Sequence, residues 1–130
     1  MRYLLDTNVV IALLEGQRQV TRRVRAHPAQ EFGLSVVVAH ELYFGAFHSQ
    51  QAGRNVALIE HLPFQTVALD KDDARLAAAI RAELAAAGTP IGICDLFIAA
   101  QARSRDLTLI TRNVSEFSRV SDLRWENWQR

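Results

Sequence analysis

Tyr3-Leu4-Leu5-Asp6-Thr7-Asn8 begins the chain with a short apolar run that ends on an acid. Three apolar residues bounded this way read as a buried strand, too short for a helix. A helix is expected from about Asn8 to Glu15, where Gly16 can stop it. Outward from this opening the same alternation recurs. A short basic helix covers Val20 to Ala26 and ends at His27-Pro28, and Phe32-Gly33-Leu34 reads as a second strand. Ser35 is suited to cap the next helix, Val36 to about His48. Residues 54–62 read as a helix broken at Pro63, and Gln65 to Leu69 as a strand. Asp70 caps a long helix through Ala87 with Ala77, Ile80, Leu84 and Ala87 on its apolar face. Gly88 and Pro90 supply its stop signal. Asp95 begins, or lies in the first turn of, a further helix running to about Ser104. Leu107 to Thr111 is a strongly apolar strand. A loop with Asn113, a short helix around Ser115-Glu116-Phe117 and a last strand within Leu123 to Trp128 complete the chain.

Strands alternating with helices predict an α/β sandwich built on a mostly parallel sheet. In such sheets binding groups gather beyond the carboxyl ends of the strands. Asp6 and the loop after Thr111 both occupy such ends, so two distant stretches converge on one candidate site.

The 130 residues fit one domain, residues 1–130. A 49% hydrophobic, 22% charged composition suits a packed core. Cys94 is the lone cysteine, so no intramolecular disulfide forms, which is compatible with a reducing, cytoplasmic location. Asp6 interrupts any leader-like apolar core, and no apolar run nears the roughly 18 residues of a membrane span. Fifteen basic and 14 acidic residues leave a net charge of +1, which does not announce a nucleic-acid binder. Lys71 is the sole lysine, and the other basic residues are arginines, whose forked donors suit phosphate. Genomic base composition explains the arginine bias equally well.

Most of the acids need no chemical role. Asp70, Asp72 and Asp73 crowd a helix start, where the dipole favours negative charge. Four others stand apart. Asp6 follows a strand directly, Glu41 lies in the largely apolar Val37-Val38-Ala39-His40-Glu41-Leu42-Tyr43-Phe44, Asp95 precedes Leu96-Phe97-Ile98-Ala99-Ala100, and Glu116 follows Thr111-Arg112-Asn113. Each has a structural alternative: a helix cap for Asp6 and Asp95, an ion-pair partner for Glu41. If they converge, repulsion decides the matter. Two unit charges 4 Å apart repel by about 4 kcal/mol at an effective dielectric near 20. Protons or a cation must then neutralise the cluster. An all-oxygen ligand set suits Mg²⁺ or Mn²⁺, not zinc. Such an ion equips a site for phosphodiester hydrolysis.

Four segments together resemble the motifs of PIN domains. They are Leu4-Leu5-Asp6-Thr7-Asn8; Ser35 through Gly45 with Glu41; Pro90-Ile91-Gly92-Ile93-Cys94-Asp95 with the apolar run after it; and Leu109 through Phe117. Order, spacing and length all match, and within the family the chain is most similar to the VapC branch of toxins. The resemblance implies a three-layer α/β/α fold, Mg²⁺-dependent endoribonuclease activity, a homodimer, and inhibition by a VapB-type antitoxin. It implies Asp6 and Asp95 as principal metal ligands, with Glu41 as the third acid. Many relatives carry Asp where this chain has Asn113, so Glu116 is the candidate for the fourth charge. Cys94 also departs from the family pattern and reads as a packing substitution. Thr7, Asn8, Thr111 and Asn113 are candidates to orient ligands or waters, with capping as the ordinary alternative. Products with 5′-phosphate and 3′-hydroxyl ends are expected. The implied substrate is structured RNA, namely tRNA, with the initiator anticodon stem-loop as the specific guess.

Arg22, Arg23, Arg25, Arg112 and Arg119 are candidates for phosphate contact, and solubilising the surface is their ordinary role. Tyr43, Phe44 and Phe47 are candidates to line an antitoxin groove or to pack in the core, and Trp125 and Trp128 are equally ambiguous. An Asp6-based phosphatase or phosphotransferase is a rival, although Asn8 stands where the commonest such enzymes carry a second Asp. A non-catalytic binding module whose acids are merely caps is another. Zinc hydrolysis is disfavoured because His27, His40, His48 and His61 lack paired ligand spacing. A nucleotide-binding domain would need a glycine-rich phosphate loop, which is absent.

Overall fold

Five short strands, all parallel, form one sheet in the order β3-β2-β1-β4-β5. The computed structural model describes all 130 residues, Met1–Arg130. The strands are β1 (Tyr3–Leu5), β2 (Phe32–Ser35), β3 (Gln65–Val67), β4 (Thr108–Ile110) and β5 (Trp125–Glu126). Between β1 and β2 lie α1 (Thr7–Leu14) and α2 (Arg18–Arg25). Between β2 and β3 lie α3 (Val36–Phe47) and α4 (Ala52–Glu60). Helices α5 (Lys71–Ala86) and α6 (Ile93–Ser104) lead to β4, and α7 (Val114–Phe117) leads to β5. No helix is long and apolar enough to cross a membrane.

Right-handed crossovers place α1–α4 on one face of the sheet and α5–α7 on the other, giving the expected three layers. The chain leaves β1 toward β2 and returns on its other side at β4, so the strand order switches direction between β1 and β4. A crevice opens at such a switch point, beyond the carboxyl ends of the two strands. Register brings those ends level: Leu5 pairs with Ile110, and the Asp6 N–H donates to the Ile110 carbonyl at 2.9 Å.

Local signals explain most boundaries. Gly16 and Gly88 adopt φ of +76° and +72°, the left-handed conformation that stops α1 and α5. Asp70 and Asp73 form a reciprocal capping box at the start of α5. Asp95 is not a cap. Gly92 holds that position, and Asp95 is the third residue of α6, half-buried in its first turn.

One contiguous core of 29 buried residues holds the layers together. Trp128 belongs to it, 1% exposed, with its ring 5.0 Å from Tyr3 and its Nε1–H donated to Glu126 at 3.0 Å. The last residues thereby clasp α2, whose Arg23 lies 4.8 Å over the Trp128 ring. Asp73 is buried as well, because Arg105, the residue just past α6, reaches its two oxygens at 2.6 and 3.0 Å. Gln101 adds a second tie, donating Nε2–H to the Val67 and Ala68 carbonyls at 3.3 and 3.2 Å.

Candidate active site

Asp6 sits at the bottom of the switch-point crevice, 5% exposed. Its position follows from local structure: β1 ends at Leu5, and Asp6 adopts an extended backbone as the N-cap of α1. Both carboxylate oxygens have donors. The Thr7 N–H reaches Oδ1 at 2.8 Å and the Thr111 hydroxyl reaches Oδ2 at 2.7 Å. Thr7 thus contributes its backbone, and the hydroxyl that serves Asp6 belongs to Thr111, one residue past β4. Burial raises the Asp6 pKa above 3.8, the bonds from Thr111 and Thr7 oppose the rise, and the Glu116 charge adds to it.

Asp95 enters from α6, and its electrostatics reveal the convergence. Its pKa rises to about 7, first from burial, then from a hydrogen bond with Glu116 and from the charges of Asp6, Glu116 and Glu41. Asp6, Glu41 and Glu116, the other three acids singled out in the sequence, are therefore all within interaction range of Asp95. Glu116, the weakest candidate by sequence, is the most intimate partner. It is held below its ordinary value by the Asp95 bond, then by Asn113, with Arg119 assisting. Of the two, Asp95 is pushed toward its protonated form and Glu116 is held toward its ionised form.

Asn113 resolves into a support for Glu116. Its Nδ2–H donates to Glu116 Oε2 at 3.0 Å, and its backbone N–H donates to Thr111 Oγ1 at 2.9 Å. A continuous chain of bonds thus runs from Glu116 through Asn113 and Thr111 to Asp6. Asn8 takes no part in it. It is half-buried in the first turn of α1, and its side chain forms no hydrogen bond.

Glu41 comes from the middle of α3 and is half-buried. Cys94 lies against it. Burial raises the thiol pKa, and contact with Glu41 and the charges of Glu41 and Asp95 raise it further. Cys94 therefore does more than fill space: it is a neutral, thiol-bearing neighbour of the acids, and its thiolate is disfavoured there. Alternation and charge counting do not reveal this contact, because α3 and α6 meet only through the fold.

The donors are of the type a hard divalent cation takes: carboxylate oxygens from three separate elements, one of them pushed toward its protonated form by burial and its neighbours. No three of the His, Cys, Asp and Glu side chains close into a ready-made coordination cage. That spacing is compatible with Mg²⁺, which typically takes one or two carboxylates and keeps several waters.

Beside Glu41, between α1, α3 and α4, lies an open cavity of about 590 Å³. Ile11, Leu14, Leu42, Leu58 and Ile59 give it an apolar lining. Phe44 and Phe47, 61% and 68% exposed, project from the same helix as Glu41, whereas Tyr43 packs against the core.

The comparisons with known proteins agree with this geometry. The family model described as "PIN domain" matches residues 3–123. A protein of Shigella flexneri named "tRNA(fMet)-specific endonuclease VapC" is 38% identical over 130 residues, covering 98% of each chain. "Ribonuclease VapC2" of Haemophilus influenzae is 39% identical over 131 residues with the same coverage. Among solved structures, a chain of the DNA-bound VapBC complex from Salmonella typhimurium matches with a TM-score of 0.92 at 33% identity, over 98% of both chains. With a switch-point sheet, the four motifs in order and whole-length similarity to VapC proteins, the chain belongs to the PIN-domain family, in its VapC branch.

Proposed function

We propose that this protein is a divalent-metal-dependent RNA endonuclease, the toxin of a VapBC-type toxin–antitoxin pair, acting on tRNA. The observation that carries the chemistry is the placing of Asp95, whose pKa is pushed up to about 7 first by burial and then by Glu116, Asp6 and Glu41 around it. Such a cluster is relieved by a cation. Asp6, Asp95 and Glu41 would hold Mg²⁺, with Mn²⁺ as a substitute. Bound there, the ion supplies a lowered pKa for water and charge stabilisation at the leaving 3′-oxygen.

The protein's own groups prepare that site. Thr7 N–H and the Thr111 hydroxyl fix the Asp6 carboxylate in one orientation. Asn113 does the same for Glu116, which in turn orients the Asp95 carboxyl. Supports of this kind typically contribute 10–100-fold to metal affinity or activity. The phosphotransferase rival fares worse, because Asn8 stands where such enzymes carry a second Asp and the sole lysine, Lys71, begins α5 far along the chain.

The choice of RNA draws support from the VapC relatives, and initiator tRNA from the printed name of the Shigella flexneri protein. The VapB-type partner draws support from the VapBC complexes among the structural neighbours. The apolar cavity beside Glu41, with Phe44 and Phe47 exposed nearby, suits an amphipathic antitoxin segment. A homodimer is part of the same proposal.

The test is incubation with total tRNA in Mg²⁺, Mn²⁺ or EDTA, followed by mapping of the ends. We expect cleavage in the anticodon stem-loop of initiator tRNA, with 5′-phosphate and 3′-hydroxyl ends. It should be lost in EDTA and in a folded Asp6→Asn protein. Undiminished cleavage in EDTA, or parental turnover by Asp6→Asn, would overturn the assignment.

A further inference from the structure

The mouth of this site is anionic, and the proposed substrate is a polyanion. Carboxylates that attract a metal also repel phosphates, so the strand must find fixed positive charge beside them. Five arginines are candidates from the sequence, and the fold separates them.

Arg112 follows Thr111 directly, and Thr111 bonds Asp6 at 2.7 Å. It is exposed and belongs to none of the ion pairs, which use Arg23, His27, Arg105 and Arg124. Its charge is felt at Asp6. Arg119 sits just past α7, where its backbone N–H donates to the Glu116 carbonyl at 3.1 Å. Its Nη1–H reaches the Pro90 carbonyl at 3.3 Å, on the loop that enters α6. One of its five donors is used, and the others are free to meet a ligand. Its charge is felt at Glu116.

The arginines of α2 are placed differently. Arg23 is taken by Glu126 at 3.4 Å and by the Trp128 ring. Arg22 and Arg25 lie in the last turn of the same helix. The chain then reaches His27, whose ring lies 5.0 Å from that of Tyr3, at the end of β1 away from Asp6.

Given the RNA-endonuclease reading, on which this inference rests, we propose that Arg112 and Arg119 form a two-armed clamp for the phosphates flanking the scissile bond. One arm stands on the Asp6 side of the acids and the other on the Glu116 side. Their role is to seat the strand, not to take part in bond breaking.

The experiment measures binding of labelled tRNA in EDTA by fluorescence anisotropy over a series of salt concentrations. It compares the parent, Arg112→Ala, Arg119→Ala, the double variant and Arg22→Ala/Arg25→Ala, each checked for folding by circular dichroism. Each clamp substitution should weaken binding about 3–10-fold and lower the salt slope by roughly 0.7–0.9, as expected for one lost phosphate contact. Arg112→Lys and Arg119→Lys should restore much of the slope and serve where an alanine variant misfolds. With Mg²⁺ present, KM should rise and kcat at saturating RNA should hold. A folded double variant with the parental slope overturns the clamp, as does a slope that moves only in Arg22→Ala/Arg25→Ala. If the parent cleaves RNA and the clamp variants bind normally, the clamp alone is wrong. If the parent neither binds nor cleaves RNA, the functional reading falls with it.

Discussion

The Thr111 hydroxyl donates to Asp6 Oδ2 at 2.7 Å, joining residues 105 positions apart at the meeting of β1 and β4. Thr111 Oγ1 in turn accepts the Asn113 N–H at 2.9 Å, so one small side chain serves both flanks of the site. Removing that hydroxyl without changing shape tests its importance. Thr111→Val leaves a buried carboxylate oxygen and a backbone N–H without partners, at a cost of about 1–3 kcal/mol. Metal-dependent turnover should fall about 10–100-fold. Thr111→Ser should retain most of both. Thermal melts and initial rates check this, and a Thr111→Val protein equal to the parent in both would exclude the positioning role.

Asp95 gives the metal-free protein an unusual pH dependence. Its folded pKa of about 7 exceeds the ordinary 3.8, so the folded state binds this proton more tightly than the unfolded chain. Protonation is therefore stabilising: metal-free stability should improve as pH falls from above 7 toward 4. Asp95→Asn removes the charge that opposes folding. In EDTA it should melt above the parent at pH 8, by roughly 1 kcal/mol or about 3–6 °C, and the advantage should vanish near pH 4. Mg²⁺ should raise the parental melting temperature more than that of the variant. A variant that melts below the parent at pH 8 would contradict the repulsion assigned to this cluster.

Asp73 works in the opposite sense. Burial pushes its pKa up, but the bonds from Arg105, the Asp70 N–H and Ser104 outweigh burial and hold it below 3.8. Its stabilisation is complete above the unfolded value and is lost as pH falls through the lower folded value. Asp73→Asn should cost about 2–4 kcal/mol at pH 7, because it leaves Arg105 with only the more distant Asp70. That deficit should close in strong acid. Denaturant titrations at pH 7 and pH 3 measure it, and an equal deficit at both would show that the ion pair is not its source.

The helices and strands were legible because their signals are local. Gly16, Gly88 and Ser35 end or begin helices by the conformations and bonds available within a few residues. The strand at Tyr3–Leu5 is marked by its apolar run and by the acid that closes it. Asp6, Glu41 and Asp95 stood out because carboxylates in apolar company need a reason. Glu116 stood apart least, since it follows the polar Thr111-Arg112-Asn113. Its importance arises from Asp95, a residue on another helix.

Sequence alone thus carried the element order, the parallel α/β class and the four candidate acids, through forces acting over one or two helical turns. Which groups meet was left to the strand order β3-β2-β1-β4-β5, which brings Thr111 to Asp6 and α7 to α6. Glu116 on Asp95, Cys94 on Glu41, Arg105 on Asp73 and the separation of Arg112 from the α2 arginines all depend on it. Hydrogen bonds and Coulomb forces decay with distance in space, and distance along the chain is a poor guide to that once five strands have crossed over to pair.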